Sequence, residues 1–164
     1  MQSVSWDYDD VPSLIDEVGV EEVGRLYATR KMEDLRALTE DRYVASVWDD
    51  DPLSWIDDCV ADGDYLDSDL RFRLVIAAIN AATTDAVLWC IGDRPVAHLA
   101  ALDGFDHRFH DARRTNPNVE RLFRLMQHDA TVVEGAEDSG WWSDDYRELG
   151  YGSPQYPPGA RRPQ

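Results

Sequence analysis

The stretch SDLRFRLVIAAINAA, residues 68–82, is apolar on nearly every side of the helix that it predicts. A helix with so little polar surface is typical of the centre of a domain's core. Asp67 or Ser68 provides its N-cap, because a side-chain oxygen placed just before a helix accepts hydrogen bonds from the free amides of the first turn. We therefore expect a central helix over residues 69–82, with the rest of the fold built around it.

Capping residues and apolar spacing predict shorter helices on both sides of the central one. Gly19 separates two N-terminal patterns, and a further pattern from Met32 to Trp48 has a break near Thr39. The predicted starts are Pro12, Val20, Asp51 before Pro52, Thr84, Pro95, Phe105, and Asn116 before Pro117. Gly63, Gly92 and Gly104 mark predicted ends. The fold class is all-α, a single compact domain of about seven to nine short helices joined by short turns.

Composition supports one globular domain of 164 residues with a real core. We place the helical domain over residues 1–149, with an acidic N-terminal half (1–69) and a near-neutral core (70–128). The remaining segment, GYGSPQYPPGARRPQ (150–164), has four prolines in its last eleven residues, which is typical of a flexible tail. Cys59 and Cys90 lie in apolar helical patterns, so we expect both to be buried, reduced thiols.

The net charge of −17 is concentrated in residues 1–69, which hold 20 acidic and five basic residues. Such a field repels nucleic acid and anionic membranes, and it favours a basic protein partner by speeding encounter. The N-terminus lacks the pattern of a signal peptide, and the longest apolar run, near residues 74–82, is too short to span a membrane. We therefore expect a cytoplasmic protein that binds neither membranes nor nucleic acid directly.

The segment DAVLWCIGDRPVAHLAALDG, followed by ARRTNPNVERLFRLM, contains the pattern LWxIGxxPxxxL and then a basic-Asn-Pro step. With the preceding DPLSWIDDCV and LRFRLVIAAI, it resembles a family of small uncharacterised helical bacterial proteins over about residues 50–126. The resemblance implies an all-α fold and supplies no catalytic residues.

The stretch WDDDPLSWIDDCVADGDYLDSD, residues 48–69, holds nine aspartates and no basic residue. On a helical wheel, the apolar residues from Leu53 to Val60 share one face, and Asp57, Asp58 and Asp62 share the other. Asp51 and Asp67 are explained as caps. Asp58 and Asp62 are like charges four residues apart, and Asp62 and Asp64 crowd a helix C-terminus, so folding alone gives no reason for them. The predicted partner-binding residues are Asp57, Asp58, Asp62 and Asp64, with Asp49, Asp50, Trp141 and Trp142.

Other candidate sites are weaker on sequence grounds. His107 and His110 are three residues apart, as metal ligands can be, but the chain has no Glu-x-x-His, and DGDYLDSD does not fit an EF-hand loop. No nucleophile, phosphate-loop or zinc-protease motif is present. We therefore expect no cofactor, no metal and no enzymatic activity. The basic residues Arg108, Arg113, Arg114, Arg121 and Arg124 are expected to pair with the acidic half, within the fold or in a dimer.

Size, charge asymmetry and the lack of catalytic motifs predict a non-enzymatic inhibitor of the immunity-protein or antitoxin type. It would occlude the basic cleft of a partner such as a nuclease or another nucleic-acid enzyme, and DNA mimicry by a row of carboxylates is the limiting form. A second interpretation is a general helical interaction module whose acidity serves solubility. A third is a small metal-dependent enzyme that uses His107 and His110.

Overall fold

A computed structural model describes residues 6–39 and 51–135, except for the side chains of residues 36–39 and 127–135. Every regular element in these ranges is helical, which confirms the all-α prediction. The elements are α1 (Val11–Val18), α2 (Val20–Thr39), α3 (Trp55–Ala61), α4 (Ser68–Ala81), α5 (Asp85–Ile91), a π-helical segment (Gly92–Val96), α6 (Ala97–Ala100), α7 (Phe105–Thr115) and α8 (Pro117–Gly135).

Helix α4 is the centre of the fold, as its apolar sequence predicts. Leu74, Val75 and Ile79 on this helix are fully buried, and α4 contacts α2, α3, α5, α6 and α8. Its closest neighbour is α2, which meets α4 at Gly24. A Cβ atom at Gly24 would stand 2.5 Å from the carbonyl carbon of Ala77, so glycine at this position lets the two backbones approach.

Three of the predicted N-caps are confirmed. The Asp67 carboxylate accepts hydrogen bonds from the amides of Asp69 and Leu70 at 3.0 and 3.2 Å. The side chains of Thr84 and Asn116 accept from backbone amides in the first turns of α5 and α8 in the same way. These caps satisfy donors that the helices leave unpaired at their starts.

The predicted helix start at Asp51 and Pro52 is wrong by one turn. The Asp51 carboxylate accepts from the Leu53 amide at 2.8 Å and its carbonyl accepts from the Ser54 amide at 3.1 Å, so Asp51 closes a separate turn. Helix α3 begins only at Trp55. The same Asp-Pro signal serves a tight turn as well as a helix N-terminus.

The predicted break at Gly92 and restart at Pro95 is also wrong. The chain continues from α5 through the π-helical segment into α6 without a break. Pro95 has no N–H to donate, and the wider turn is closed by the Ala97 amide, which donates to the Gly92 carbonyl five residues earlier. Helix α6 then ends at Ala100, and Gly104, with φ of 83°, precedes α7.

The two cysteines differ in exposure. Cys59 is buried in the core, as predicted, whereas Cys90 is only half-buried; both are free thiols. In the described ranges, no helix is both long and apolar enough to cross a membrane.

Candidate functional site

Asp57, which we expected on the solvent-facing side of α3, is buried between α3 and α2. Its carboxylate lies 2.6 Å from Arg30 Nε and 2.9 Å from Lys31 Nζ. The prediction that Asp57 faces solvent is therefore wrong. A helical wheel ranks the faces of one helix by polarity and contains no information about bases on another helix, so it could not find this pairing.

Arg30, Lys31, Asp34, Asp51 and Asp57 form one ion network between α2 and the start of α3. Burial alone would lower the pKa of Lys31, but the charges and hydrogen bonds of Asp57 and Asp34 together outweigh burial and raise that pKa. Both basic side chains therefore stay charged at neutral pH. The charge of Asp57 is used within the fold and is not presented to a partner.

Asp62 and Asp64 also have partners inside the fold. Asp62 is half-exposed, with its carboxylate 3.1 Å from Arg94 Nε and 3.7 Å from His98 Nδ1. The Asp64 side chain is 87% exposed and accepts from Arg71 Nη1 at 3.0 Å, whereas the Arg71 side chain is 3% exposed. Ion pairs with Arg94 and Arg71, 32 and seven residues later in the chain, thus offset the local cost of these two aspartates.

Asp58 is half-buried and has no ion pair within the part of the chain that the structure describes. Burial, together with the charges of Asp57 and Asp62, raises the pKa of Asp58. The surroundings therefore disfavour its ionised form, and a positive charge brought close by a partner would relieve this. Unlike Asp57, Asp62 and Asp64, Asp58 has no ion pair within the described residues.

The remaining predicted partner-binding residues, Asp49, Asp50, Trp141 and Trp142, lie outside the described residues, as does the tail at 150–164. Their roles stay predictions.

The basic side chains of α7 and α8 are paired mostly with near neighbours. Arg108 reaches Asp69 of the acidic half, as predicted. Within the fold, the other four pair instead with acids in residues 85–120: Arg113 and Arg124 with Glu120, Arg114 with Asp111, and Arg121 with Asp85. Pairing with the acidic half in a dimer stays a prediction. This region is therefore close to neutral locally.

Two exposed tyrosines, distant in sequence, pack against each other at the surface with their ring planes tilted by 58°. Tyr8 in the turn before α1 is 55% exposed and Tyr65 in the loop before α4 is 38% exposed, with ring centroids 4.5 Å apart. Trp6 meets the edge of Tyr8 at 5.5 Å between centroids and donates from Nε1 to Ser54 Oγ at 3.2 Å. These contacts therefore connect the N-terminal turn to the residues on both sides of α3.

Exposed aspartates lie close to both tyrosines in the sequence. We define the tyrosine patch as Tyr8 and Tyr65 together with Asp7, Asp9, Asp10, Asp64 and Asp67, all of them exposed. The turn is held by the Asp10 amide, which donates to the Asp7 carbonyl at 2.9 Å. Partial burial raises the pKa of Tyr65 further above neutral pH. The patch thus combines two aromatic rings in contact, phenolic hydroxyls and negative charge.

Sequence reasoning missed this patch because its halves are far apart along the chain. The available signal was a tyrosine within an aspartate-rich segment, which occurs in WDYDD (6–10) and again in DGDYLDSD (62–69). Only the folded structure places the two segments together.

His107 and His110 are both exposed on α7. Among the described residues, no group of three or more His, Cys, Asp or Glu side chains is placed to hold a metal ion.

No family model, curated protein or solved structure matches this chain. The resemblance of residues 50–126 to small helical bacterial proteins therefore stays a prediction, and function has to be inferred from the residues and their geometry.

Proposed function

We propose that this protein is a non-enzymatic acidic inhibitor of the immunity-protein or antitoxin type. It binds a basic surface of a partner protein, such as the cleft of a nuclease or another nucleic-acid enzyme, and occludes it. The tyrosine patch is the observation that carries this proposal. The predicted cytoplasmic location and the absence of direct nucleic-acid binding belong to the same proposal.

The chemistry of the patch fits a partner rich in arginine and lysine. Tyrosine is among the residues that contribute most to protein interfaces, because it offers a large rigid surface and a polar tip. The face of its ring also attracts guanidinium and ammonium groups. The surrounding carboxylates speed the encounter with a basic surface and orient it.

The proposed interface lies beside α3 and not along it. Asp57 is buried and Asp62 is ion-paired with Arg94, so α3 does not present the three-carboxylate row on which DNA mimicry by this helix depends. Asp64, next to Tyr65 in the sequence, belongs to the patch. The acidic surface is therefore centred on Tyr8 and Tyr65.

The test is affinity capture of partners from the native cell, followed by binding measurements with the purified partner. We expect a basic partner, an affinity that falls as salt rises, and a loss of at least about tenfold in the Tyr8→Ala/Tyr65→Ala double variant. The matched control is Met32→Ala/Leu102→Ala, which removes two other exposed apolar side chains. Circular dichroism serves as the check that both variants are folded.

Binding that is indifferent to salt, or that survives loss of both tyrosines, contradicts the proposal. In that case the acidity serves solubility, and the protein is a general helical interaction module that uses another surface.

A further inference from the structure

An open apolar groove lies between α2 and α4, on elements that do not contribute to the tyrosine patch, apart from Asp67 at the cap of α4. Its volume is about 530 Å³. The apolar lining consists of Val20 on α2 and Phe72, Ile76, Ala77 and Ala81 on α4. An apolar surface of this kind, rimmed by polar side chains, is typical of an interaction site.

The rim of the groove carries two charged side chains that the fold does not use. Glu21 on α2 and Arg73 on α4 are both exposed, and neither has an ion pair or hydrogen bond within the described ranges. In contrast, the neighbouring Arg25 is paired with Glu22, with 2.7 Å between Arg25 Nε and Glu22 Oε2. The groove therefore offers one available acid and one available base, on different helices.

We propose that this groove is the contact face between two copies of the chain. In a two-fold interface the same surface is used twice, so a residue that meets another across the axis is met by it in return. An acid and a base on different helices of one face satisfy this rule, because Glu21 of each copy can pair with Arg73 of the partner subunit. The apolar lining supplies the buried centre of the contact.

Local charge explains why a second copy fits this groove and not the tyrosine patch. Two chains of net charge −17 repel each other, and the repulsion is greatest where their acidic surfaces meet. Around the groove, Glu21 and Glu22 are balanced by Arg25 and Arg73. The groove is therefore a locally neutral, apolar face, whereas a basic partner is drawn to the patch.

The test is sedimentation analysis of the full chain from about 1 to about 300 µM, which spans the affinities of modest homodimers. We expect the dimer fraction to rise with concentration. We also expect it to rise between about 20 and about 150 mM salt, because screening weakens the net repulsion. Partner binding at the tyrosine patch has the opposite salt dependence, so the two proposals fail separately.

Charge-swap variants test the pairing itself. Glu21→Arg and Arg73→Glu each place like charges across the axis and are expected to weaken dimerisation by at least about tenfold. The double variant Glu21→Arg/Arg73→Glu restores the opposite pairs at unchanged net charge and should restore dimerisation. Glu33→Arg, at an exposed acid of α2 outside the groove, is the matched control and should not weaken it.

A chain that is monomeric at every concentration overturns the inference. So does a dimer that the single variants do not weaken, or one that the double variant fails to restore. Occupation of the groove by a small apolar ligand or by another segment of the same chain gives one of these outcomes.

Discussion

Replacing Asp57 by Asn is expected to destabilise the fold by about 3 kcal/mol. Removing one partner of a buried ion pair costs about 3–5 kcal/mol, because the opposite charge stays buried without compensation. Asp57 pairs with both Arg30 and Lys31, and its side chain is 12% exposed. Asp34 and Asp51 remain to compensate those two bases in part, which places the loss at the lower end of that range.

Asp58→Asn is the matched control, because it makes the same change at the adjacent position. Burial and the neighbouring aspartates raise the pKa of Asp58, so its ionised form destabilises the folded state above that pKa. We therefore expect Asp58→Asn to be as stable as the wild type or more stable at pH 7. This difference should disappear as the pH falls below about 4, where the carboxyl is protonated in both states.

The measurement is urea unfolding followed by circular dichroism, with thermal unfolding as a second readout. For a chain of this size, each 1 kcal/mol corresponds to roughly 2–4 °C, so Asp57→Asn should lower Tm by roughly 6–12 °C. A stability within about 0.5 kcal/mol of the wild type refutes the ion-network interpretation. An equal loss in Asp58→Asn refutes the distinction between the two aspartates.

Three further predictions follow from other buried or closely packed groups. Arg71 has two buried nitrogens without a hydrogen-bond partner in the described residues, so replacing its charge by an apolar side chain in Arg71→Met should keep or raise the urea midpoint. In contrast, Asp64→Asn removes the carboxylate that pairs with Arg71 and should lower stability by about 1 kcal/mol. Gly24→Ala should cost about 1–3 kcal/mol in the same assay, because its methyl group meets the α4 backbone. Burial raises the pKa of Cys90 to about 12 and also raises that of Cys59, so neither thiol should react quickly with a thiol reagent at pH 8 until urea is added.

The predictions that succeeded depend on local chemistry. The caps at Asp67, Thr84 and Asn116 each involve a side chain and amides two or three residues away, so the sequence contains both partners side by side. The central position of α4 is likewise contained in its own composition. These features were predictable without knowledge of the other helices.

The predictions that were wrong depend on contacts between distant segments, or on a choice between two local conformations that the same residues allow. Asp57 is buried because α2 supplies two bases 26 and 27 residues earlier, which no property of α3 reveals. The chain passes through Pro95 as a π-helical segment joined to α5 and α6, although a new helix beginning at Pro95 would satisfy the same local rules. The tyrosine patch joins positions 8 and 65, and nothing in either segment specifies the other.

The contact of Trp6 with Tyr8 gives the tyrosine patch its own optical reporter. Light absorbed by Tyr8 or Tyr65 is transferred readily to the indole of Trp6, whose ring centroid lies 5.5 Å from that of Tyr8. The same indole donates a hydrogen bond to Ser54, just before α3. A molecule that covers the patch changes the solvent around this emitter, so its fluorescence responds to docking without any added dye. Trp6 is one of six tryptophans in the chain, so comparison with a Trp6→Phe variant separates its response to docking from the rest of the fluorescence.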